Sequence, residues 1–169
     1  SATGGQGDLE SSEPAISDDG RFVAFKSAAD NLVPGDANGV IDIFIKDTQT
    51  NGIKLVSTDA AGAQADGECS HTAITADGRF VAFSSTAGNL VPGDTNGKAD
   101  VFIKDLTSGA INLVSSDASG EPGDDASGFR ALTVSTDGRF VAFESAADNL
   151  VPVDTNVTLN IFVKDTLKG

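Results

Sequence analysis

Across 169 residues the chain carries 11 basic and 25 acidic side chains, a formal net charge of −14. That excess repels nucleic-acid phosphates and anionic lipid headgroups, so neither is expected as a partner, whereas cations are favoured and the chain is kept soluble. Ten Phe are the only aromatic residues and 19 Gly break up short apolar runs, a composition of short strands joined by turns.

In chain order, a Gly-rich loop leads to a short strand expected over residues 14–17. The stretch DGRFVAF at 19–25 follows. Its Asp-Gly suits the positive φ angles of a tight hairpin, and Phe-Val-Ala-Phe is apolar on both faces of an extended run. A long connection over 27–40 leads to a third strand at 42–46, a turn at 50–52 and a fourth strand at 54–57. DGRFVAF returns at 77–83 and 137–143, 58 and then 60 residues on, so the chain is a repeat with units 1–58, 59–116 and 117–169. The second unit predicts strands at 72–75, 79–84, 100–104 and 111–115. The third predicts strands at 131–135, 139–144 and 160–164, and its fourth would fall beyond residue 169.

Four antiparallel strands linked by turns form a meander, and one that is apolar on both faces must be stacked between copies of itself. The expected fold class is therefore all-β: β-propeller blades of four-stranded antiparallel meanders. A β-sandwich would need polar and apolar residues to alternate along each strand. Phe22 and Ala24 on one face, with Val23 and Phe25 on the other, do not alternate. About three blades cannot close a ring of the roughly four to eight blades that propellers use. The chain is then either a partial propeller continued by further blades or half of a six-bladed dimeric ring.

S-x-DGRFVAF followed by DIFIKD and KLVS resembles the TolB-like propeller repeat of bacterial secreted and periplasmic proteins, over nearly the whole chain. The resemblance implies an extracellular or periplasmic location. No stretch reads as a signal peptide or membrane span and the first residue is not Met, so export would be specified upstream of an excised or mature piece. Members of such a group serve as docking platforms or as parts of enzymes, so fold does not fix function.

The connection before the third strand carries Asp-x-Asn-Gly-x-x-Asp twice, in GDANGVID at 35–42 and GDTNGKAD at 93–100. Carboxylate and amide oxygens at these intervals, with a Gly that turns the backbone, can gather hard donors of the kind calcium prefers. The candidate ligands are Asp36, Asn38, Asp42, Asp94, Asn96 and Asp100. The third copy offers weaker candidates in Asp154, Asn156 and Asn160, with Val153 and Val157 replacing the glycines. The loops look like shortened forms of the calcium loops on integrin-type propellers and, more distantly, dockerin loops. Side-chain-to-backbone Asx turns explain the same residues without a metal.

Cys69 and His71, the only Cys and His, would share a face if their strand were regular, which makes a nucleophile–base pair conceivable. The same pair does not occur in the other units, and no catalytic residue is assigned. The in-register Arg21, Arg79 and Arg139, and the Lys-Asp pairs at 46–47, 104–105 and 164–165, read as structural because they recur. The expected function is a non-catalytic, extracytoplasmic scaffold or interaction module that binds calcium. Its partners would be a protein, further blades or a second copy of itself. The alternatives are an accessory or catalytic part of a secreted hydrolase or lyase, and a calcium-dependent glycan-binding module.

Overall fold

The structure, a computed structural model, describes residues 5–154 and 158–168. It contains eleven strands in three antiparallel sheets, with no helix among the described residues. Sheet 1 holds β1 (Ser11–Ile16), β2 (Phe22–Ser27), β3 (Asp42–Asp47) and β4 (Ile53–Leu55), each paired with the next in sequence. Sheet 2 repeats this with β5 (Cys69–Ile74), β6 (Phe80–Ser85), β7 (Asp100–Asp105) and β8 (Ile111–Leu113). Sheet 3 has three strands, β9 (Ser127–Val134), β10 (Phe140–Ser145) and β11 (Asn160–Asp165).

The Asp-Gly turn is wider than a two-residue hairpin. Gly20 takes φ of 71° while Asp19 stays outside the positive region, because its carboxylate is used as an acceptor. Asp19 Oδ1 receives the Ser17 hydroxyl at 2.7 Å and the Arg21 N–H at 2.9 Å, and Ser17 Oγ receives the Phe22 N–H at 2.9 Å. The same bonds recur around Asp77 and Asp137. Beyond the turn, Arg21 reaches from the start of β2 to the end of β3, where its Nη2 lies 2.8 Å from Asp47 Oδ2 and its guanidinium 4.7 Å from the Phe22 ring centre. Arg79–Asp105 and Arg139–Asp165 make the same clamp, which accounts for the recurrence of Arg and Asp.

In β2 and β3, Ala24 pairs with Ile45 and Phe25 with Phe44, so one face of the sheet presents Phe22, Ala24, Ile43 and Ile45. The other face presents Phe25, Phe44, Ile53 and Leu55. The first face of sheet 1 packs on Val81, Phe83, Phe102 and Ile111 of the second face of sheet 2. Ala82, Val101 and Ile103 on the first face of sheet 2 pack in turn on Val141 and Phe143 of sheet 3. Each fully buried side chain of this size contributes about 1.5–3 kcal/mol, so these two inter-sheet layers dominate the stability. The two-sided apolar strand DGRFVAF is therefore the second strand of each sheet, as its pattern predicts, and in sheet 2 a neighbouring sheet covers it on both sides.

Two features depart from expectation. The first strands begin earlier than residues 14 and 72 and carry a bulge, with Glu13 and His71 at φ of 52° and 50°. The 60-residue spacing of the third repeat also arises in its first strand. Cys69 and Ser127 occupy equivalent places opposite Ser85 and Ser145, whereas Ile74 and Val134 sit opposite Val81 and Val141. Both additional residues of that repeat are thus absorbed within β9, around Gly128, Phe129, Arg130 and Ala131.

Candidate functional site

The second-to-third-strand connections are built as latches. Asp42, at the first position of β3, is fully buried and accepts the Ser57 hydroxyl at 2.5 Å on Oδ1 and the Asn38 amide at 2.8 Å on Oδ2. Ser57 Oγ also receives the Ile43 N–H at 3.1 Å, which ties the tail of β4 to the start of β3. Asn38 Nδ2 donates a second bond to Ala65 O at 3.1 Å, and Asn38 Oδ1 accepts the Val40 N–H at 3.3 Å. Asp100, Ser115 and Asn96 repeat the arrangement, at 2.5 Å and 2.6 Å, with Asn96 also reaching Gly123 O. These amides bridge to the connection that enters the next sheet, which the sequence did not reveal because the partners lie 27 residues away.

Of the candidate ligands, Asp42 and Asn38 meet directly, as do Asp100 and Asn96, and in each pair the amide nitrogen faces the carboxylate. Asp36 lies beside them and accepts Gln64 Nε2 at 3.2 Å. Burial pushes its carboxyl up to about 6, and the charges of Asp42 and Asp30 add to the rise. Burial likewise pushes Asp100 up to about 6 against the lowering effect of Ser115 and Asn96, and raises Asp42 and Asp94. In the third copy Asn160 takes the place of Asp42 and donates to Asp154 Oδ2 at 3.0 Å; Asn156 lies outside the described residues. No group of three or more His, Cys, Asp or Glu side chains that could hold a metal ion is gathered among the described residues. Ser57, Ser115 and Gln64 are the latch residues that motif spacing missed.

Cys69 and His71 bond different partners. The Cys69 thiol is buried, donates to Ser85 Oγ at 3.3 Å and is pushed up to about 12 by that burial, far from the thiolate a nucleophile needs. Ser11 and Ser127 make the equivalent bond to Ser27 and Ser145, so Cys69 stands where the other repeats have Ser. The bulge removes the regular alternation on which a shared face depended. His71 Nδ1 lies 3.1 Å from Ser70 Oγ, and the His71 N–H donates to Glu13 Oε2 of sheet 1 at 2.8 Å. Glu13 is joined to Lys26 at 2.6 Å, so His71 belongs to a tie between the first strands of neighbouring sheets.

The Lys of the second and third Lys-Asp pairs crosses a sheet junction. Lys104 Nζ donates to Thr58 O and Asp59 O, both at 2.8 Å, and Lys164 Nζ to Ser116 O and Asp117 O, both at 2.9 Å.

No family model and no curated protein matches the sequence. Solved structures do resemble the fold. TolB from Acinetobacter baumannii is 16% identical with a TM-score of 0.56, the match covering 94% of this chain and 30% of that one. The β-propeller domain of the trilobed protease from Pyrococcus furiosus is 16% identical with a TM-score of 0.58, covering 96% and 42%. A prolyl endopeptidase structure is 14% identical with a TM-score of 0.55, covering 98% and 22%. The chain thus spans less than half the length of each of these. Three stacked antiparallel sheets with these neighbours give the chain the fold of a partial TolB-like β-propeller.

Proposed function

We propose that the chain is a non-catalytic propeller scaffold that works outside the cytoplasm and presents blade surfaces to a protein partner. The observation that carries this reading is that the reactive-looking side chains repeat as structure. Arg21, Arg79 and Arg139 make one clamp three times, and Cys69 fills a hydrogen-bonding place that Ser fills in the other two blades. Thiol-directed and serine-directed electrophiles applied to the native protein test it. Labelling of Cys69 only after denaturation is expected, and stoichiometric labelling of the folded chain would overturn the reading. Recovery of the protein from the periplasmic or culture fraction of its source cell is expected; recovery confined to the cytoplasm would refute the location.

A second reading, favoured by the crowding of Asp36 against Asp42 and Asp30, is that the first two loops take calcium weakly, with a Kd on the order of 10⁻⁴–10⁻³ M. Asp36, Asn38 and Asp42, and Asp94, Asn96 and Asp100, would be the donors, the amides turning so that their oxygens face inward. Calorimetry should then give no more than two sites and little heat from the third loop, where Asn160 replaces the last Asp. No heat at calcium well above that Kd would dismiss this reading without touching the scaffold.

A further inference from the structure

Equivalent positions in the three blades have unequal fates. Ile43 and Ile45 of blade 1 are 0% and 5% exposed, and Val101 and Ile103 of blade 2 are 0% and 3% exposed, because the next blade covers each pair. Their counterparts in blade 3, Ile161 and Val163, are 74% and 65% exposed. Phe140 on the same face is also exposed, whereas its counterparts each sit beneath the Asp-Gly turn of the following blade. A Cβ built at Gly78 would lie 2.2 Å from Phe22 Cδ2, and one at Gly138 would lie 2.5 Å from Phe80 Cδ2. At Gly20 the same construction meets nothing within 4 Å. Blade 3 thus carries a Phe with no glycine turn upon it, and blade 1 a glycine turn with no Phe beneath it.

The outer face of blade 1 completes the match. Ile16 is 62% exposed there, while Ile74, the equivalent residue of blade 2, packs into the core between blades 1 and 2. Lys46 lies on this face beside Phe44, its ammonium without a partner among the described residues, although Lys104 and Lys164 in the same place cross to the preceding blade. On the exposed face of blade 3, Glu144 Oε1 is buried with no hydrogen-bond partner among the described residues.

We propose that a second copy of this chain covers the Phe140, Ile161 and Val163 face of blade 3 with the Ile16 and Gly20 face of its own blade 1. The junctions already present inside each chain are the template, since both faces repeat residues that pair there. Rings of roughly four to eight blades close. Two copies of these three blades make six, within that range, and their two junctions are then identical under a two-fold axis. This inference rests on the scaffold reading and names its partner.

Light scattering on the 169-residue chain should give a dimer of twice 17.1 kDa. The double variant Ile161→Glu, Val163→Glu changes only exposed positions, so it should keep its far-ultraviolet circular dichroism. It should weaken dimerisation on the order of 100-fold or more, because two carboxylates would be buried without partners. Leu9→Glu, at another exposed apolar position, should leave the dimer intact. A wild-type chain that stays monomeric at high micromolar concentration overturns the proposal and points to a different blade as the cover. A dimer undiminished in the double variant overturns it equally. Either result leaves the scaffold reading standing, since that reading is decided by Cys69 labelling.

Discussion

Ser57 shows how much one hydroxyl carries: it donates to the buried Asp42 carboxylate and receives the Ile43 N–H. Ser57→Ala leaves a buried carboxylate short of a donor, at a cost of about 1–3 kcal/mol. For a chain of this size that lowers the melting temperature by roughly 2–4 °C per kcal/mol, which differential scanning calorimetry reads. Cys69→Ser, which installs the residue used by the other repeats, should shift it by no more than about 2 °C. The acids act in opposite senses with pH. Asp36 and Asp100, raised to about 6, keep their protons in the folded chain where the unfolded chain has lost them. Their contribution is therefore most favourable below the ordinary carboxylate range and falls as pH rises through about 6. Asp47, held down to about 2 by Arg21, contributes above the ordinary range and loses that contribution as pH falls toward about 2. Thermal melts should accordingly show greatest stability near the ordinary carboxylate range, with a decline as pH rises from there through about 6 that Asp100→Asn reduces. A melting temperature that climbs steadily from mildly acid to neutral pH would contradict the assignment.

The strands themselves were largely legible. Phe-Val-Ala-Phe declares an extended run buried on both sides, and the recurrence of DIFIKD, DVFIKD and NIFVKD places the third strand of each sheet. What the sequence concealed was either non-local or without a residue-type signature. The Ser57–Asp42 latch joins residues 15 apart, and the bulges put Glu13 at positive φ although Glu is not among the residue types enriched there; His71, at the equivalent place, is of such a type but stands alone in its strand. The candidate loop residues were legible as a group, but not that Asn38 and Asn96 would present nitrogen to the carboxylates and carry the chain toward the next sheet. The Asp-Gly turns give a prediction at this scale. Within a single copy of the chain, Gly20→Ala incurs only the strain of its positive φ, about 1–2 kcal/mol. Gly78→Ala and Gly138→Ala add a collision with Phe22 or Phe80, about 1–3 kcal/mol more. Denaturant melts of the three variants, each made in the Ile161→Glu, Val163→Glu background that holds the chain monomeric, should separate them in that order; three equal losses there would mean that the turns do not seat on the rings.

Across the whole molecule, stability comes from two stacking layers, with sheet 2 taking part in both. Stacked repeats behave as a sum of neighbour interactions, and the unit with two neighbours opens least often. In the monomeric Ile161→Glu, Val163→Glu variant, amide exchange should be slowest in β6 and β7 and faster in β2, β3, β10 and β11. The fastest inner strands should belong to sheet 3, where only one face is covered and the additional residues of β9 loosen the pairing. Uniform protection across the three sheets would show instead that they open as one body. The lysine ties between sheets have a further consequence. Lys104 and Lys164 donate to main-chain carbonyls, which have no proton to gain in acid, whereas each Arg clamp depends on an ionised aspartate. Strong acid therefore strips the clamps within each sheet, and the Glu13 tie with them, while sparing the lysine fastenings between sheets, so the stack holds its order while its individual leaves begin to splay.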